Sequence, residues 1–245
     1  MKFYTVPVEG REEVGSYTLL HYRWREGAVE PGQFVMARAA GYPVTLDPFL
    51  ARPFSFYDYD GEMATLLFEV RGRGTALLDR ARDKIEVTAP LGRSFHIDAA
   101  AGRVALLGGG VGVAPLKVLG RRLRDARIPY DVFLGFADAR TAAVAREFPG
   151  SKVATMDGSV GTHGTVLDAV PGLESYPVVY ACGPNPMLAA VKREARTGSF
   201  CQLSVEERMG CGNGSCNGCV VPVSGGGYAR SCVEGPVFSA EVLAW

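Results

Sequence analysis

Apolar and polar positions follow three rhythms along this chain, and each predicts a different kind of element. In the first part the apolar residues come in short alternating or continuous runs: Phe3–Val8, Ser16–His21, Gln33–Arg38, Met63–Val70 and Lys84–Ala89. Gly, Pro and Asp separate them, with turn signals at Pro31-Gly32 and Asp60-Gly61. Evenly spaced short strands with few helical stretches predict an antiparallel barrel. Thr75–Arg82 has the spacing of one short helix.

The rhythm changes near residue 101. Arg103–Leu107 is a buried-strand run that ends in glycines, and Pro115–Ala126 has helical spacing with basic residues on one side. Tyr130–Phe136, Lys152–Thr155 and Val178–Ala181 read as further buried strands, and Asn185–Arg196 as a helix. Strand alternating with helix predicts a doubly wound parallel α/β sheet. From about Phe200 the character changes again: Gly, Cys and Asn dominate from Gly210 to Gly218, followed by short strand-like pieces at Val220–Val223, Tyr228–Ser231 and Val237. The expected fold is therefore multidomain β + α/β: an antiparallel barrel over residues 1–99, a doubly wound parallel α/β domain over 100–199, and a small C-terminal segment with short strands over 200–245.

Composition narrows the function classes. Lys plus Arg (26) balances Asp plus Glu (26), so no basic surplus points to nucleic acid. No stretch reaches the roughly 18 apolar residues that a membrane helix needs, and the first residues show no apolar leader. A cytoplasmic protein is expected, with neither nucleic acid nor membrane as partner.

The chemistry concentrates in the cysteines. Of six, Cys211, Cys216, Cys219 and Cys232 crowd into the glycine-rich tail. Such clustering favours metal over a disulfide framework in an intracellular chain. The spacing C-x4-C-x2-C followed by a distant Cys is that of plant-type [2Fe–2S] proteins, with two thiolates for each iron. Structural zinc usually takes two short Cys-x2–4-Cys knuckles, and zinc or plain thiol chemistry stays as the competing reading. Glycines 210, 212, 214 and 218 let the backbone wrap closely around such a group. Cys182 and Cys201 read as small, buried and unligated.

Two turns follow buried strands in the α/β part. Gly108-Gly109-Gly110-Val111-Gly112-Val113-Ala114-Pro115 could let a pyrophosphate approach the backbone at a helix start. A plain tight turn is the alternative, because Pro115 stands where the third glycine of a dinucleotide fingerprint belongs. Cys182-Gly183-Pro184 forms the second turn. Asp138 favours the ribose hydroxyls of NAD and Arg140 the 2′-phosphate of NADP, and the balance leans to NAD. In the barrel, Arg52-Pro53-Phe54-Ser55 and the later Leu67-Phe68-Glu69 with Gly74-Thr75 make an anion site as plausible as a solvated arginine and an ordinary turn.

Taken together, these motifs resemble the ferredoxin–NADP reductase superfamily, whose members join a flavin-binding barrel to a nicotinamide-binding α/β domain. Arg52-Pro53-x-Ser55 resembles its flavin motif; Gly108-Gly-Gly-x-Gly112-x-Ala114-Pro115 and Cys182-Gly183-Pro184 resemble its nicotinamide motifs. Met209-x-Cys211-Gly212-x-Gly214-x-Cys216-x2-Cys219 and Cys232-x2-Gly235-Pro236-Val237-Phe238 closely resemble the electron-transfer subunits of type B dihydroorotate dehydrogenases. The resemblance spans nearly the whole chain. It implies FAD held by Arg52, Pro53, Phe54, Ser55, Leu67, Phe68, Glu69, Gly74 and Thr75. It implies NAD at Gly108, Gly109, Gly110, Gly112, Pro115, Cys182, Gly183 and Pro184, and a [2Fe–2S] cluster on Cys211, Cys216, Cys219 and Cys232. Where relatives often carry an aromatic–Arg pair, this chain has Phe68-Glu69, which leaves Arg71 or Arg73 to replace that arginine.

The same resemblance implies a separate FMN-containing dihydroorotate dehydrogenase catalytic subunit, assembled as a heterotetramer of two of each chain, with electrons passing through cluster and FAD to NAD in pyrimidine biosynthesis. The alternative is a homologous subunit of a ferredoxin:NAD(P) oxidoreductase, sulfhydrogenase or sulfide dehydrogenase. His21, His96 and His163 form no base or nucleophile arrangement and read as structural, so no catalytic side chain for pyrimidine oxidation is expected here. Trp245 reads as a packed terminal aromatic.

Overall fold

The computed structural model describes residues 2–41, 47–97, 102–195 and 197–245. The expected boundary at 99/100 and the expected helix end at Arg196 lie outside the described residues. Six strands close the first barrel: β1 (Tyr4–Val14), β2 (Tyr17–Arg23), β3 (Phe34–Ala39), β4 (Arg52–Tyr59), β5 (Met63–Glu69) and β6 (Lys84–Leu91), in the order β1-β2-β5-β4-β3-β6. Helix α1 (Arg73–Asp79) links β5 to β6. Every pairing is antiparallel.

Period-two alternation sorts the side chains. Leu20 and Tyr22 of β2 fill the barrel, while Tyr17 and Leu19 join the core of the following domain. One strand departs from the sequence reading. Arg52-Pro53-Phe54-Ser55-Phe56 lies outside every strand expected from the pattern, yet it forms most of β4, with Pro53 opposite Met36 of β3. Proline has no N–H for a ladder and so hides a strand from pattern reading.

The second unit is a seven-stranded sheet. Its strands are β7 (Val104–Gly109), β8 (Tyr130–Phe136), β9 (Lys152–Thr155), β10 (Thr162–His163), β11 (Val178–Gly183), β12 (Phe200–Val205) and, beyond the short hairpin β13 (Val220–Pro222) and β14 (Tyr228–Arg230), β15 (Val237–Ser239). The order is β10-β9-β8-β7-β11-β12-β15, parallel except for the last pair. Val104 and Leu106 of β7 face one core and Ala105 and Leu107 the other. Both faces are covered, which is why this strand reads as a continuous apolar run. The sheet runs past residue 199. Phe200–Val205 is its sixth strand, and the tail returns to supply the seventh.

Helices α2 (Ala114–Asp125), α3 (Ala139–Ala142) and α4 (Asn185–Glu194) complete this unit. Helix α2 fixes it to the barrel. Leu116, Leu119 and Leu123 go under the sheet, and Val118 joins the barrel core. The basic side is explained by the barrel: Arg121 Nη1 donates to Tyr59 O at 2.7 Å and pairs with Asp58, while Arg122 bonds Val29 O. Among the described residues no helix is long and apolar enough to cross a membrane.

Candidate functional site

Strand order reverses between β7 and β11, and open α/β sheets bind ligands beyond the carboxyl ends of strands at such a point. Here three adjacent strand ends converge: Gly108 pairs in register with Cys182, which in turn pairs with Ser204. The barrel faces them across a cleft of about 550 Å³. Its barrel wall carries Arg52, Pro53, Phe54, Ser55, Leu67, Phe68, Glu69, Arg71 and Thr75, and its sheet wall Val111, Ala114, Cys182 and the segment Ser204–Met209.

The barrel residues expected from sequence thus meet in one place, but in different roles. Phe54 and Phe68 turn their rings into the barrel core, 5.3 Å apart, and show the cleft only part of their surface. Gly74 lies outside the wall itself, yet a Cβ there would stand 3.0 Å from the Arg52 guanidinium, so the arginine lies across the start of α1. Arg52 also donates to Leu50 O. Thr75 spends its hydroxyl on its own turn, accepting from the N–H groups of Arg71 (3.0 Å) and Gly72 (3.1 Å). Glu69, in the place of an arginine, pairs with Arg71 at 2.7 Å, which brings Arg71 to the cleft. Arg73 instead pairs with Asp47.

The glycine turn divides in the same way. A Cβ on Gly112 would lie 2.5 Å from Cys182 O, and one on Gly109 2.4 Å from Met187 Sδ, so these two let neighbouring turns touch. Gly108 is likewise closed in by Leu116 and Val113. Gly110 differs: it has φ +55° and nothing within 4 Å of an added Cβ, the open backbone that a phosphate needs. Pro115 sits in the first turn of α2, where its missing N–H costs nothing. Gly183 and Pro184 lead into α4, with Pro184 Cδ 3.2 Å from where a Gly109 Cβ would stand. Asp138 caps α3 through Thr141 N at 2.8 Å.

The sequence reading missed Glu206. It lies just past β12, open to the cleft but crowded by protein behind. That burial raises its carboxyl from 4.5 to about 7, against the opposing charge of Arg71. The Cys182 thiol lies 4.0 Å from Glu206 Oε1, and burial with this neighbour pushes the thiol well up. Asn185 Nδ2 bonds Glu207 at 3.0 Å, tying the second turn to the same segment. The signal was present: Phe200–Val205 places Cys201, Leu203 and Val205 on alternate positions and ends in Glu-Glu-Arg, the alternating-then-polar pattern of a strand end. Phe34, Leu50 and Pro236, none of them expected as a site residue, also line the cleft.

The four clustered cysteines lie beside this cleft. Cys219 and Cys232 are buried with Phe34 and Met36, Cys211 is half-buried and Cys216 exposed. They approach as two pairs. Cys216 N points at Cys211 Sγ and Cys232 N at Cys219 Sγ, each at 3.4 Å. Among the described residues no three His, Cys, Asp or Glu side chains converge on one ion position. Two pairs of thiols fit two irons with two ligands each better than one tetrahedral zinc. The loop backbone also suits thiolates: burial opposes the charge of Cys211, but N–H groups of Asn213, Cys216 and Ser215 bring its pKa down to about 6. Gly212, at φ +70°, passes so close that a Cβ would meet Met36 Cγ at 2.7 Å. Cys201 is buried and apart from them. His21 bonds Thr65 at 2.9 Å, and Trp245 packs against the sheet core.

Comparison with known proteins agrees with this geometry. Residues 206–244 match the family model described as the iron-sulfur cluster binding domain of dihydroorotate dehydrogenase B. The chain is 42% identical over 224 residues to the dihydroorotate dehydrogenase B (NAD(+)) electron transfer subunit of Geobacillus thermodenitrificans, covering 86% of this chain and 85% of that one. It is 38% identical over 230 residues to the subunit of the same name from Caldanaerobacter subterraneus, covering 90% and 89%. Among solved structures, one of the NADH-dependent reduced ferredoxin-NADP oxidoreductase superposes with a TM-score of 0.85 at 26% identity, covering 98% of this chain and 90% of that one. Phthalate dioxygenase reductase shares the fold, with a TM-score of 0.66 at 15% identity over 90% and 86%. The chain belongs to the family of dihydroorotate dehydrogenase B (NAD(+)) electron transfer subunits.

Proposed function

We propose that this chain carries electrons from the FMN of a dihydroorotate dehydrogenase catalytic subunit, by way of a [2Fe–2S] cluster on Cys211, Cys216, Cys219 and Cys232 and FAD in the cleft, to NAD. When bound, FAD exchanges a hydride with nicotinamide and single electrons with the cluster, so the set converts between two- and one-electron carriers. The observation that carries this reading is a shared wall. Phe34 and Met209 line the cleft and also pack with Cys219 and Cys232. Flavin and cluster sites are separated by side chains, not by a domain.

The residues divide the work. Arg52 lies where a diphosphate can be held between its guanidinium and the Gly74-Thr75 backbone. Ser55, Pro53 and Leu67 shape the wall for the flavin ring, and Arg71 supplies the cation that Glu69 does not. Gly110 receives the nicotinamide dinucleotide's phosphates, with Gly108, Gly109, Gly112, Pro115, Gly183 and Pro184 holding the two turns in contact. Cys182 and Glu206 lie at the nicotinamide end, where a carboxyl near pKa 7 can hold or release a proton at its Oε1. Residues 1–99 serve FAD, 100–199 NAD and 200–245 the cluster, with β12 lending its end to the middle site.

The pyrimidine site belongs on the partner chain, in a complex of two copies of each. Six unbridged cysteines suit the reducing cytoplasm. The deciding experiment is anaerobic co-purification with the partner, followed by iron, sulfide and flavin assays and a visible spectrum. Dihydroorotate should bleach the complex and NAD restore its colour. Cofactors present with dihydroorotate inert would move the assignment to a ferredoxin:NAD(P)-type complex, for which the 26% identity over nearly the full chain is the specific support. Zinc without flavin would end both readings.

A further inference from the structure

Arg230 stands at the end of β14, opposite Val220 and so beside Cys219, and two residues before Cys232. Its Nη1 donates to Gly214 O at 3.3 Å, inside the loop between Cys211 and Cys216. A Cβ on Gly214, which has φ +83°, would lie 3.1 Å from the same nitrogen, so the guanidinium packs against the loop. The other side of the guanidinium is taken by Glu234, whose Oε2 accepts from Arg230 Nε at 3.1 Å and from Arg230 N at 2.7 Å. The order in space is therefore cysteine loop, cation, anion. The guanidinium is within electrostatic reach of Cys219 and Cys232. Both charged side chains are about 40% exposed (39% and 40%), so water screens them in part without cancelling them.

Stability does not account for this pair. A half-exposed ion pair adds little to stability because water screens it, and it could sit anywhere on the surface. Here it lies against the loop that carries the thiols. Reduction adds one electron, and hence one negative charge, to a cluster that four thiolates already make anionic. Nearby charge and hydrogen bonding set the potential of such a cluster.

We propose that Arg230 and Glu234 form a charge pair that tunes the reduction potential of the [2Fe–2S] cluster, Arg230 raising it and Glu234 holding it back. The proposal rests on the reading of the four cysteines as cluster ligands. Arg230 favours the reduced state by its charge, and the anion behind it limits how far. The electron comes from the flavin of the partner and leaves to FAD, so the pair matches the cluster to its two neighbours and takes no part in bond making.

The test uses the purified complex and its Arg230→Gln, Arg230→Lys and Glu234→Gln variants. Iron and labile sulfide are counted first, and the cluster potential is then read by anaerobic redox titration followed by electron paramagnetic resonance. Arg230→Gln should lower the midpoint and Glu234→Gln raise it, each changing the ratio of reduced to oxidised cluster at fixed poise severalfold and at most about tenfold, which is 59 mV for one electron. Arg230→Lys should stay near the parent. Shifts of the same sign in the two Gln variants, or no shift with full cluster content, would overturn the proposal and leave the pair as a loop brace. Should Arg230→Gln lose its cluster, Glu234→Gln still decides, because it leaves the Gly214 bond in place; an unmoved midpoint there refutes the proposal. A parent complex without iron and labile sulfide would instead refute the ligand reading itself.

Discussion

The Cys182 sulfur lies 4.0 Å from Oε1 of Glu206, one at the end of β11 and the other just past β12, and together they close the sheet side of the cleft. The protein packed behind it raises the carboxyl of Glu206, which stays open to the cleft on its other side, from 4.5 to about 7. Between those values the folded state holds a proton that the unfolded chain has lost, so stability falls as pH rises from 4.5 to 7. Below 4.5 the group contributes nothing either way. Glu206→Gln should flatten this decline in urea melts of the chain, and remove an inflection near pH 7 from the rate of flavin reduction by NADH. A parent rate without that inflection would show that the carboxyl holds no proton the reaction uses.

Gly112 and Gly110 should answer alanine differently. At Gly112 a methyl meets Cys182 O at 2.5 Å and Gly183 Cα at 2.7 Å, both backbone atoms that cannot step aside. Overpacking of this kind costs about 1–3 kcal/mol, so Gly112→Ala should lower Tm by several degrees. At Gly110 the space is open and only φ +55° is at issue, which costs roughly 1–2 kcal/mol for a residue with a Cβ. That methyl would project into the open space that the proposed function gives to the dinucleotide. Gly110→Ala should therefore weaken NADH binding out of proportion to its effect on the melt, as measured by titration calorimetry.

The two units were legible in sequence because burial leaves periodic marks. Strands β8 and β9 have the expected limits, and the glycine turn sits at the end of β7. The cleft was legible on its barrel side, in the glycine turn that supplies Val111 and Ala114, and at Cys182. Glu206 went unread because Phe200–Val205, though strand-like, was grouped with the cysteine-rich tail that begins at Gly210 and not with the sheet it belongs to. The adjacency of Met209 to both cleft and cysteines is a tertiary fact with no periodic signature. Nor does sequence distinguish Gly110 from Gly112, since their difference lies in what stands opposite.

The pairing of the thiols predicts which cysteines hold iron. Alanine at Cys211, Cys216, Cys219 or Cys232 removes half of a two-thiol set and should abolish or sharply lower the expected content of about two irons and two labile sulfides per chain. Cys201→Ala should keep the full content, because Cys201 lies buried in the sheet core away from the others. Cys182→Ala should also keep it, while slowing the NADH reaction. Iron and sulfide assays on the anaerobically purified variants check both halves of the expectation. Full iron in a variant of any clustered cysteine would contradict the assignment of that residue.

Arg52 should control how well FAD is retained rather than how fast it reacts. Its guanidinium crosses the start of α1 at 3.0 Å from the Gly74 Cβ position and is braced by Leu50 O, so it is aimed before any ligand arrives. A hydrogen bond to a charged group contributes about 1.5–3 kcal/mol, which corresponds to roughly tenfold to a hundredfold in Kd. Arg52→Gln should lose most of its flavin on gel filtration, while keeping the barrel fold by circular dichroism. Added FAD should restore the rate at saturation, since Arg52 stands at the α1 side of the cleft and Glu206 and Cys182 at the other. Arg71→Gln offers the contrast. Arg71 is held by Glu69 at 2.7 Å and its side chain is 74% exposed, so water screens it and its loss should cost less flavin than the loss of Arg52. Equal losses in the two variants would place the diphosphate nearer Arg71 and reassign the residue that replaces the missing arginine of β5.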